Sequence, residues 1–327
     1  MSLTAIILAA GQSTRMKSSL PKALHEVCGR PMLHYVLQAC YGAGCSRVIV
    51  VVGHGKEQLI SAFSSDSRIH WVEQTERLGT GHAAKVCIPE LQKIQGDVFI
   101  LAGDGPLIRA EVLKTLHNAH VDDRAAGSLA TAVIDNPYGY GRIVRDDAGE
   151  FLQIVEESDA TPDQRDIHEV FPSYYCFRSH DLIEALGQLK NDNKKSEYYL
   201  TDVYAILRQS GKRVLAVQAV AAEDTLSINT RQQLAEVDAI MQDRIQRTLR
   251  EAGVTIVSPA NTYIESNVTI GRDSLIHPFS FIGRDSEIGA RSTIGPFGLI
   301  PRSSLIPEGA VIAGNISPSN AILTTTP

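Results

Sequence analysis

The chain has 327 residues, of which 43% are hydrophobic and 21% charged, and its formal net charge is −6. This composition excludes an intrinsically disordered protein and predicts a water-soluble globular one. Lysine and arginine are spread along an acidic chain, so the basic surface that nucleic acid or an anionic membrane requires is missing, and we expect neither as a partner. The length predicts two domains.

The cysteines indicate a reducing compartment. They are odd in number, form no Cys-x-x-Cys pair and lie mainly among apolar or small neighbours: Cys28, Cys40, Cys45, Cys87 and Cys176. We therefore expect reduced, buried thiols in a cytoplasmic protein. The apolar run at residues 5–10 is too short to cross a bilayer and follows no basic region, so we interpret it as a strand rather than a signal peptide.

Short β-branched segments alternate with longer amphipathic ones up to about Val220. This alternation predicts βαβ units around a mixed or parallel sheet. The predicted strands are residues 5–10, 47–52, 70–73, 98–102, 128–134 and 213–220, and the predicted helices are residues 32–42, 111–119 and 181–189. Residues 142–145 and 151–155 flank a turn and predict a hairpin.

One amphipathic segment at residues 230–252 ends at Gly253, as a helix does, and predicts a linker helix over residues 230–253. It separates a first domain, residues 1–229, from a second, residues 254–327. In the second domain isoleucine recurs every six residues, at positions 264, 270, 276, 282, 288, 294, 300, 306 and 312.

A six-residue period with glycine after several isoleucines predicts a parallel β-helix. The isoleucines are expected to stack inside and the glycines to form the corners. The hexads suffice for about three coils, which is near the minimum for a stable stack. We therefore expect a small oligomerising or capping unit.

A turn at Gly11 follows the first predicted strand. Ligands of α/β sheets bind at this edge, where backbone N–H groups can surround phosphate. The turn matches neither the dinucleotide fingerprint nor the Walker A loop, and by itself such a turn is more often structural. Two nearby cations, Arg15 and Lys22, favour a triphosphate ligand, and Pro21 stiffens the chain before Lys22.

Residues 8–16, Leu-Ala-Ala-Gly-x-x-Thr-Arg-Met, followed by Pro-Lys at 21–22, resemble the signature of the sugar-1-phosphate nucleotidyltransferase superfamily. Within it the sequence is similar to the bacterial N-acetylglucosamine-1-phosphate uridyltransferases, over roughly residues 3–252 and more weakly in the hexad repeat. The resemblance implies a Rossmann-like α/β domain with a mixed central sheet, followed by a short left-handed parallel β-helix. It assigns catalysis to Arg15 and Lys22. It assigns nucleotide binding to Leu8, Ala9, Ala10 and Gly11.

Residues 74–83 resemble the segment that binds uracil in this superfamily, which implies that Gln74, Gly79 and Thr80 also bind the nucleotide. A glutamine amide offers the paired donor and acceptor that a pyrimidine needs. Without a ligand, the same segment is a loop in which Thr80 caps a helix. Both interpretations are compatible, because N–H groups at a helix start also suit a ligand.

Asp104 follows the strand at residues 98–102 and stands between two glycines. The resemblance implies that Asp104 and Asn229 bind Mg²⁺, an ion that takes few protein oxygens and completes its shell with water and substrate phosphate. Taken singly, each residue is more often a turn or helix cap.

Sugar binding is implied by resemblance for Gly141 in a Gly-rich turn, Glu156 after a strand, and Tyr198 and Thr201 in the segment at 197–202. One departure concerns the sugar. Where the family has an asparagine that contacts it, this chain has Phe171 followed by Pro172, which cannot make the same hydrogen bonds.

The resemblance implies transfer of a uridylyl group from UTP to N-acetylglucosamine 1-phosphate. Another hexose 1-phosphate, or thymidine in place of uridine, stays open, as does a non-catalytic trimerising role. Since the sequence ends at Pro327 after about three predicted coils, we expect no acetyltransferase activity of the kind found in bifunctional relatives. Phe279, Phe281 and Phe297 could support a homotrimer.

Overall fold

The computed structural model describes residues 2–12, 14–193 and 196–314, and the backbone of residues 322–323. Ser13 of the predicted phosphate turn and most of the predicted β-helix beyond residue 314 lie outside the described residues. Two compact units are present. The first comprises Met1–His25 and Met32–Thr230, and the second comprises Glu26–Pro31 and Arg231–Pro327. Within the described ranges, no helix has both the length and the apolar character that spanning a membrane requires.

The first eleven strands, β1 to β11, are in chain order Ser2–Leu8, Glu26–Val27, Arg30–Pro31, Arg47–Val52, Ile69–Glu73, Gly96–Ala102, Gly127–Val133, Gly141–Arg145, Phe151–Val155, Glu169–Arg178 and Val214–Gln218. The helices α1 to α9 are Met32–Gly42, Lys56–Ala62, Thr80–Lys85, Ile88–Leu91, Ala110–Asp122, Pro162–Arg165, Ser179–Gln188, Asp202–Gln209 and Arg231–Glu251. Short 3-10 turns cover Thr14–Met16, Lys22–Leu24, Ala222–Thr225 and Pro259–Asn261.

The first unit is built on one mixed sheet with the strand order β11-β7-β10-β6-β1-β4-β5. All neighbours in this row are parallel except β10, which runs antiparallel to both β6 and β7. The hairpin of β8 and β9 joins through β8 to the start of β10. The predicted α/β class with a mixed sheet and a hairpin is confirmed.

Alternating residues of each central strand enter opposite cores. Along β1, Ala5 and Ile7 pack with α1 and α5 on one face, whereas Ile6 packs with α3, α7 and α8 on the other. Side chains of a strand point to opposite faces with a period of two, and a sheet covered by helices on both faces must be apolar on both. This explains why these strands read as continuous apolar runs.

The second unit contains a three-sided parallel β-helix. Its strands β12 to β21 are Thr255–Ile256, Tyr263–Ile264, Thr269–Ile270, Leu275–Ile276, Phe281–Ile282, Glu287–Ile288, Thr293–Ile294, Leu299–Ile300, Ser304–Ile306 and Val311–Ile312, and β22, Ile322–Leu323, pairs antiparallel with β20. Each strand pairs in parallel with the strand 18 residues further along, as Ile276 does with Ile294. Three hexads therefore complete one coil, and the predicted short left-handed β-helix is confirmed as the second part of the fold.

The isoleucines stack inside the coil as predicted, with Ile276, Ile282, Ile294 and Ile300 fully buried. The prediction that glycines form the corners is wrong in its reason. The left-handed backbone recurs three residues after each isoleucine, mostly at non-glycine residues such as Asp273.

The glycines after the isoleucines, Gly271, Gly283 and Gly289, instead lie where the backbone of the next coil passes. A Cβ at any of them would collide with that backbone. They are required by close approach and not by a positive φ.

Candidate active site

The loops that carry the predicted functional residues share one edge of the sheet. Leu8 pairs with both Val51 and Ala102, and Val52 pairs with Glu73, so β1, β4, β5 and β6 end side by side. The Gly11 turn, Gln74 and Asp104 follow three of these ends. Carboxyl ends of parallel strands are where open α/β sheets bind ligands.

Four predicted residues from four separate segments meet at this edge. Lys22 Nζ donates to Asp104 Oδ2 and, at 2.6 Å, to Asn229 Oδ1. Arg15 Nη2 donates to the same Asn229 oxygen at 3.0 Å. The backbone fixes the meeting, because Ile228 N donates to Asp104 O at 3.0 Å. The structure thus brings together both residues predicted to be catalytic and both predicted to bind the metal.

The Asp104 carboxylate and the Asn229 amide oxygen converge on a single cationic nitrogen, that of Lys22. Oxygens held this close around one positive charge form a donor set that suits Mg²⁺, which prefers one or two protein oxygens. The pair therefore fits the ion that the resemblance implies. The Lys22 and Asp104 side chains keep 17% and 24% of their surface exposed, which leaves the pair accessible to ligands.

The predicted phosphate turn leaves β1 under backbone control. Ala9 N donates to Val51 O at 2.9 Å, and Gly103 N donates to Leu8 O at 3.0 Å. Ala10 is buried and Gly11 is exposed. A Cβ at Gly11 would meet nothing within 4 Å, so the protein itself does not require glycine there, and the open space lies on the side where a ligand would approach.

The predicted base-binding residues form one small loop. Gln74 is 7% exposed, and its Nε2 donates to Gly79 O at 3.2 Å and lies 3.1 Å from His82 Nδ1. Gly79 has φ +100°, a conformation that a side chain would strain. Thr80 is not the helix cap that the sequence predicts: Gly79 precedes the helix, and Thr80 Oγ1 accepts a hydrogen bond from Leu200 N at 3.1 Å.

The structure places Tyr198, which the sequence assigns to the sugar, against this base loop. Tyr198 N donates to Leu78 O, and Gly81 N donates to Tyr198 O, both at 2.7 Å. Its ring stacks near His82 and lies 4.0 Å from Lys85 Nζ. Burial lowers the pKa of Lys85. Tyr198 therefore joins the segment at 197–202 to the predicted nucleotide side.

The other predicted sugar residues lie nearer one another. A Cβ at Gly141 would meet Ile154 Cγ2 at 2.8 Å and Glu156 Oε2 at 3.8 Å, so the missing side chain opens space beside the Glu156 carboxylate. Burial and then the charge of Glu156 raise the pKa of Tyr175, which places that carboxylate near the sheet. Thr201 immediately precedes α8, whose first residue, Asp202, has a pKa raised by burial.

The departure from the family at Phe171 has a structural explanation. Phe171 is 5% exposed and packs edge-on against Tyr175, with ring centroids 4.7 Å apart. The register of β10 shifts between Val170 and Tyr174, and Ser173 has φ +67°. Phe171 pairs with Gly141 of β8. The altered segment is thus a bulge beside the predicted sugar turn, with its aromatic ring directed into the core.

Sequence reasoning missed the residues that hold the Asn229 segment. Arg109 Nε lies 2.6 Å from Asp224 Oδ2, and Asp224 is 2% exposed. Tyr174 and Tyr140 donate to the backbone at residues 224 and 225. No local pattern marks Arg109 or Asp224, because their partners lie more than a hundred residues away in sequence; only Tyr140 belongs to a motif that the sequence singles out.

Comparisons with known proteins agree with this geometry. The sequence matches the family model of MobA-like NTP transferase domains over residues 5–252. It is 44% identical over 292 residues to the bifunctional protein GlmU of Brevibacillus brevis, covering 89% of this chain and 63% of that protein. The GlmU proteins of Alkaliphilus metalliredigens and Clostridium perfringens are 43% and 44% identical, over 93% and 94% of this chain and 66% and 74% of those proteins.

The chain thus spans 63% and 66% of the length of the first two relatives. The similarity nevertheless extends across nearly all of this chain and includes every residue of the cluster at Lys22. The resemblance that the motifs at residues 8–22 predict is confirmed.

Proposed function

Because the chain belongs to the family of MobA-like NTP transferase domains, we propose that it transfers a uridylyl group from UTP to N-acetylglucosamine 1-phosphate. The products are UDP-N-acetylglucosamine and pyrophosphate. The observation that supports this proposal best is the meeting of Arg15, Lys22, Asp104 and Asn229 at the carboxyl edge of the sheet. Two cations and two oxygen ligands there suit a reaction between two phosphate groups.

The proposed reaction is an in-line displacement at the α-phosphorus of UTP. A phosphate oxygen of the sugar 1-phosphate forms the new P–O bond as the bond to pyrophosphate breaks. The attacking oxygen is already anionic, so no general base is required. The chain's contribution is to position the two substrates and to offset their charge. We assign Arg15 to the leaving pyrophosphate and Lys22 to the α-phosphate or the sugar phosphate.

We propose Mg²⁺ as the divalent cation, held by Asp104 and Asn229. When bound, such an ion neutralises charge that develops on the phosphate oxygens. Lys22 hydrogen-bonds to both proposed ligands, so its ammonium also stabilises the carboxylate and the amide in the orientation in which their oxygens converge.

We propose that residues 8–11 together with Gln74, Gly79 and Thr80 bind the nucleotide, and that Gly141, Glu156, Tyr198 and Thr201 bind the sugar. Transfer is assigned to the domain at residues 1–229, with residues 230–253 as linker and 254–327 as β-helix. The five cysteines are buried and form no disulfide, which supports the proposal of a cytoplasmic protein.

The deciding experiment is pyrophosphate release from UTP and dTTP with a panel of hexose 1-phosphates, with and without Mg²⁺. We expect N-acetylglucosamine 1-phosphate with UTP to give the highest kcat/KM and chelation of the metal to abolish release. Absence of release with every sugar would instead indicate a non-catalytic homologue.

Phe171 favours a second candidate, transfer to a different hexose 1-phosphate. Its ring is packed among Tyr175 and Tyr204, so at this position the chain supplies no amide to an acetamido group. A higher kcat/KM for glucose 1-phosphate than for N-acetylglucosamine 1-phosphate in the same panel would favour that candidate.

We also propose assembly as a homotrimer through the β-helix. Phe279 and Phe297 stack on each other with centroids 5.2 Å apart, yet remain 56% and 65% exposed. Exposed, ordered aromatic rings are typical of interaction surfaces. Light scattering would give the mass of three chains, and the double variant Phe279→Ser, Phe297→Ser would give a lower mass.

A further inference from the structure

The segment between β11 and α9, residues 219–230, carries Asn229 to Asp104. Apart from the short turn Ala222–Thr225 it has no regular structure. Its two ends are fixed by backbone hydrogen bonds, from Val220 N to Thr131 O at 3.0 Å and from Ile228 N to Asp104 O at 3.0 Å. The position of the Asn229 amide therefore depends on what holds the middle of the segment.

Two tyrosine hydroxyls hold that middle from different elements. Tyr174 of β10 donates to Asp224 O at 3.1 Å, and Tyr140 donates to Thr225 O at 3.2 Å. Consecutive peptides of one segment are thus tied to two separate parts of the first unit. Tyr174 is 5% exposed in the core, whereas Tyr140 stands in the Gly-rich turn that precedes Gly141.

The turn that carries Tyr140 is itself rigid. Tyr140 N donates to Pro137 O at 3.2 Å, and Gly139 N donates to Glu157 Oε2 at 3.1 Å. Arg142, only 1% exposed, pairs with the same Glu157 oxygen at 2.7 Å and also donates to Tyr140 O. Because the turn is bound together in this way, its displacement would move the Tyr140 hydroxyl, and with it the Thr225 peptide.

We propose that Tyr140 is a positioning residue that couples the sugar site to the metal site. The inference rests on the proposed function, in which Gly141 lines the sugar site and Asn229 is a metal ligand. A sugar held against Gly141 fixes the turn, the Tyr140 hydroxyl fixes the peptide at 225, and Asn229, four residues further on, is held at Asp104. By linkage the metal tightens sugar binding by the same factor.

The test compares two tyrosine variants that each lose one hydroxyl to neighbouring peptides. Mn²⁺ affinity is measured from free Mn²⁺ by electron paramagnetic resonance, with UDP-N-acetylglucosamine or with UDP bound, in the full-length chain. No pyrophosphate is present, so no turnover occurs. The ratio of the two affinities reports the effect of the sugar, and the unequal charge of the two ligands enters that ratio equally in every protein.

We expect Tyr140→Phe to lower this ratio about fivefold relative to the unsubstituted chain, the size of a typical coupling between sites. Tyr174→Phe is the matched control. It loses the adjacent hydrogen bond but does not touch the sugar turn, so it should weaken Mn²⁺ equally in both complexes and leave the ratio unchanged. Thermal unfolding confirms that both variants are folded.

An unchanged ratio in Tyr140→Phe would overturn the inference, and so would an equal loss in Tyr174→Phe, which would mean that the segment is merely loosened. Failure of the proposed function is distinguishable, since a chain that binds neither UDP ligand and releases no pyrophosphate would show it without reference to Tyr140.

Discussion

Lys22 shows how much of the candidate site is visible in sequence. The motifs at Arg15, Lys22 and Asp104 are short, and each follows a strand end, so the sequence predicts that they share one edge. Asn229 is predictable only by resemblance, because the segment that carries it is positioned by contacts from Arg109, Tyr140 and Tyr174, all distant in sequence. Tertiary hydrogen bonds of this kind leave no local pattern.

Replacement of Lys22 tests its assigned role. We expect Lys22→Ala to lower kcat at least about 100-fold, as loss of a group that stabilises transition-state charge does. The change in stability should be small, about 1 kcal/mol or less, because the pair with Asp104 is partly exposed. Pyrophosphate release and thermal unfolding measure the two effects.

Lys212→Ala is the matched control, because Lys212 also bridges two carboxylates, Asp181 and Glu184, on α7, whose residues the proposal does not use. It should leave kcat unchanged. Full activity of Lys22→Ala would contradict the assignment.

Asp97 forms the most buried charged contact of the first unit's core, at 5% exposure, with His117 Nε2 at 2.9 Å. Burial alone would raise the pKa of Asp97, but hydrogen bonds from His117 and His120 outweigh it and hold that pKa well below its usual range. The folded state therefore binds the proton less readily than the unfolded state. Its contribution to stability is present above the ordinary aspartate pKa, about 3.9, and is lost as pH falls below it.

We accordingly expect Asp97→Asn to lower the free energy of unfolding by about 2 kcal/mol at pH 7. The difference from the unsubstituted chain should shrink as the pH falls from about 5 towards 3, because the unsubstituted chain then loses the same contribution. Urea unfolding across this range measures it. A difference that stays constant with pH would show that the carboxylate charge is not the cause.

Among the elements, the sequence predicts strands with apolar periodicity well and misses β10. That strand contains Pro172 and a bulge, and proline within a run argues against a strand. Its aromatic residues stabilise it instead through packing with Tyr204 of α8. The hexad repeat, in contrast, is predicted almost residue by residue because every isoleucine occupies an equivalent site.

The glycines of the β-helix offer a test at the level of this element. In Gly289→Ala the Cβ would lie 2.6 Å from Glu308 Cα and 2.8 Å from the Pro307 carbonyl carbon. Backbone cannot yield as a flexible side chain can, so we expect a loss of about 2 kcal/mol in unfolding free energy.

Gly187→Ala, in α7, is the control of opposite sign. A Cβ there would meet nothing within 4 Å, and alanine in a helix should stabilise by about 0.5–1 kcal/mol. Denaturant unfolding of both variants would reveal the contrast, and equal effects would contradict the packing argument.

On the scale of the whole molecule, the two units are not consecutive in sequence. Residues 26–31 belong to the second unit, where Cys28 N donates to Asp238 Oδ1 at 2.8 Å and Gln242 Nε2 to Cys28 Sγ at 3.2 Å. Composition and motifs could not predict this insertion, because the contacts span more than two hundred residues.

A chain ended at Thr230 would therefore expose Val27 and Cys28, which are 0% and 1% exposed in the intact chain. We expect it to be less soluble and to unfold several degrees lower, an effect equivalent to about 1 kcal/mol or more. Adding Val27→Ser and Cys28→Ser to the shortened chain should recover solubility. Equal melting temperatures of the shortened and intact chains would contradict this.

The pairing of each β-helix strand with the one 18 residues later, as in Ile282 with Ile300, also restricts how this unit can change in evolution. An insertion or deletion of 18 residues leaves every later isoleucine on its own face. A change of six or twelve moves all later hexads to another side of the triangle, and any other number takes them out of phase. The length of the β-helix is thus quantised, and relatives should differ there in whole coils.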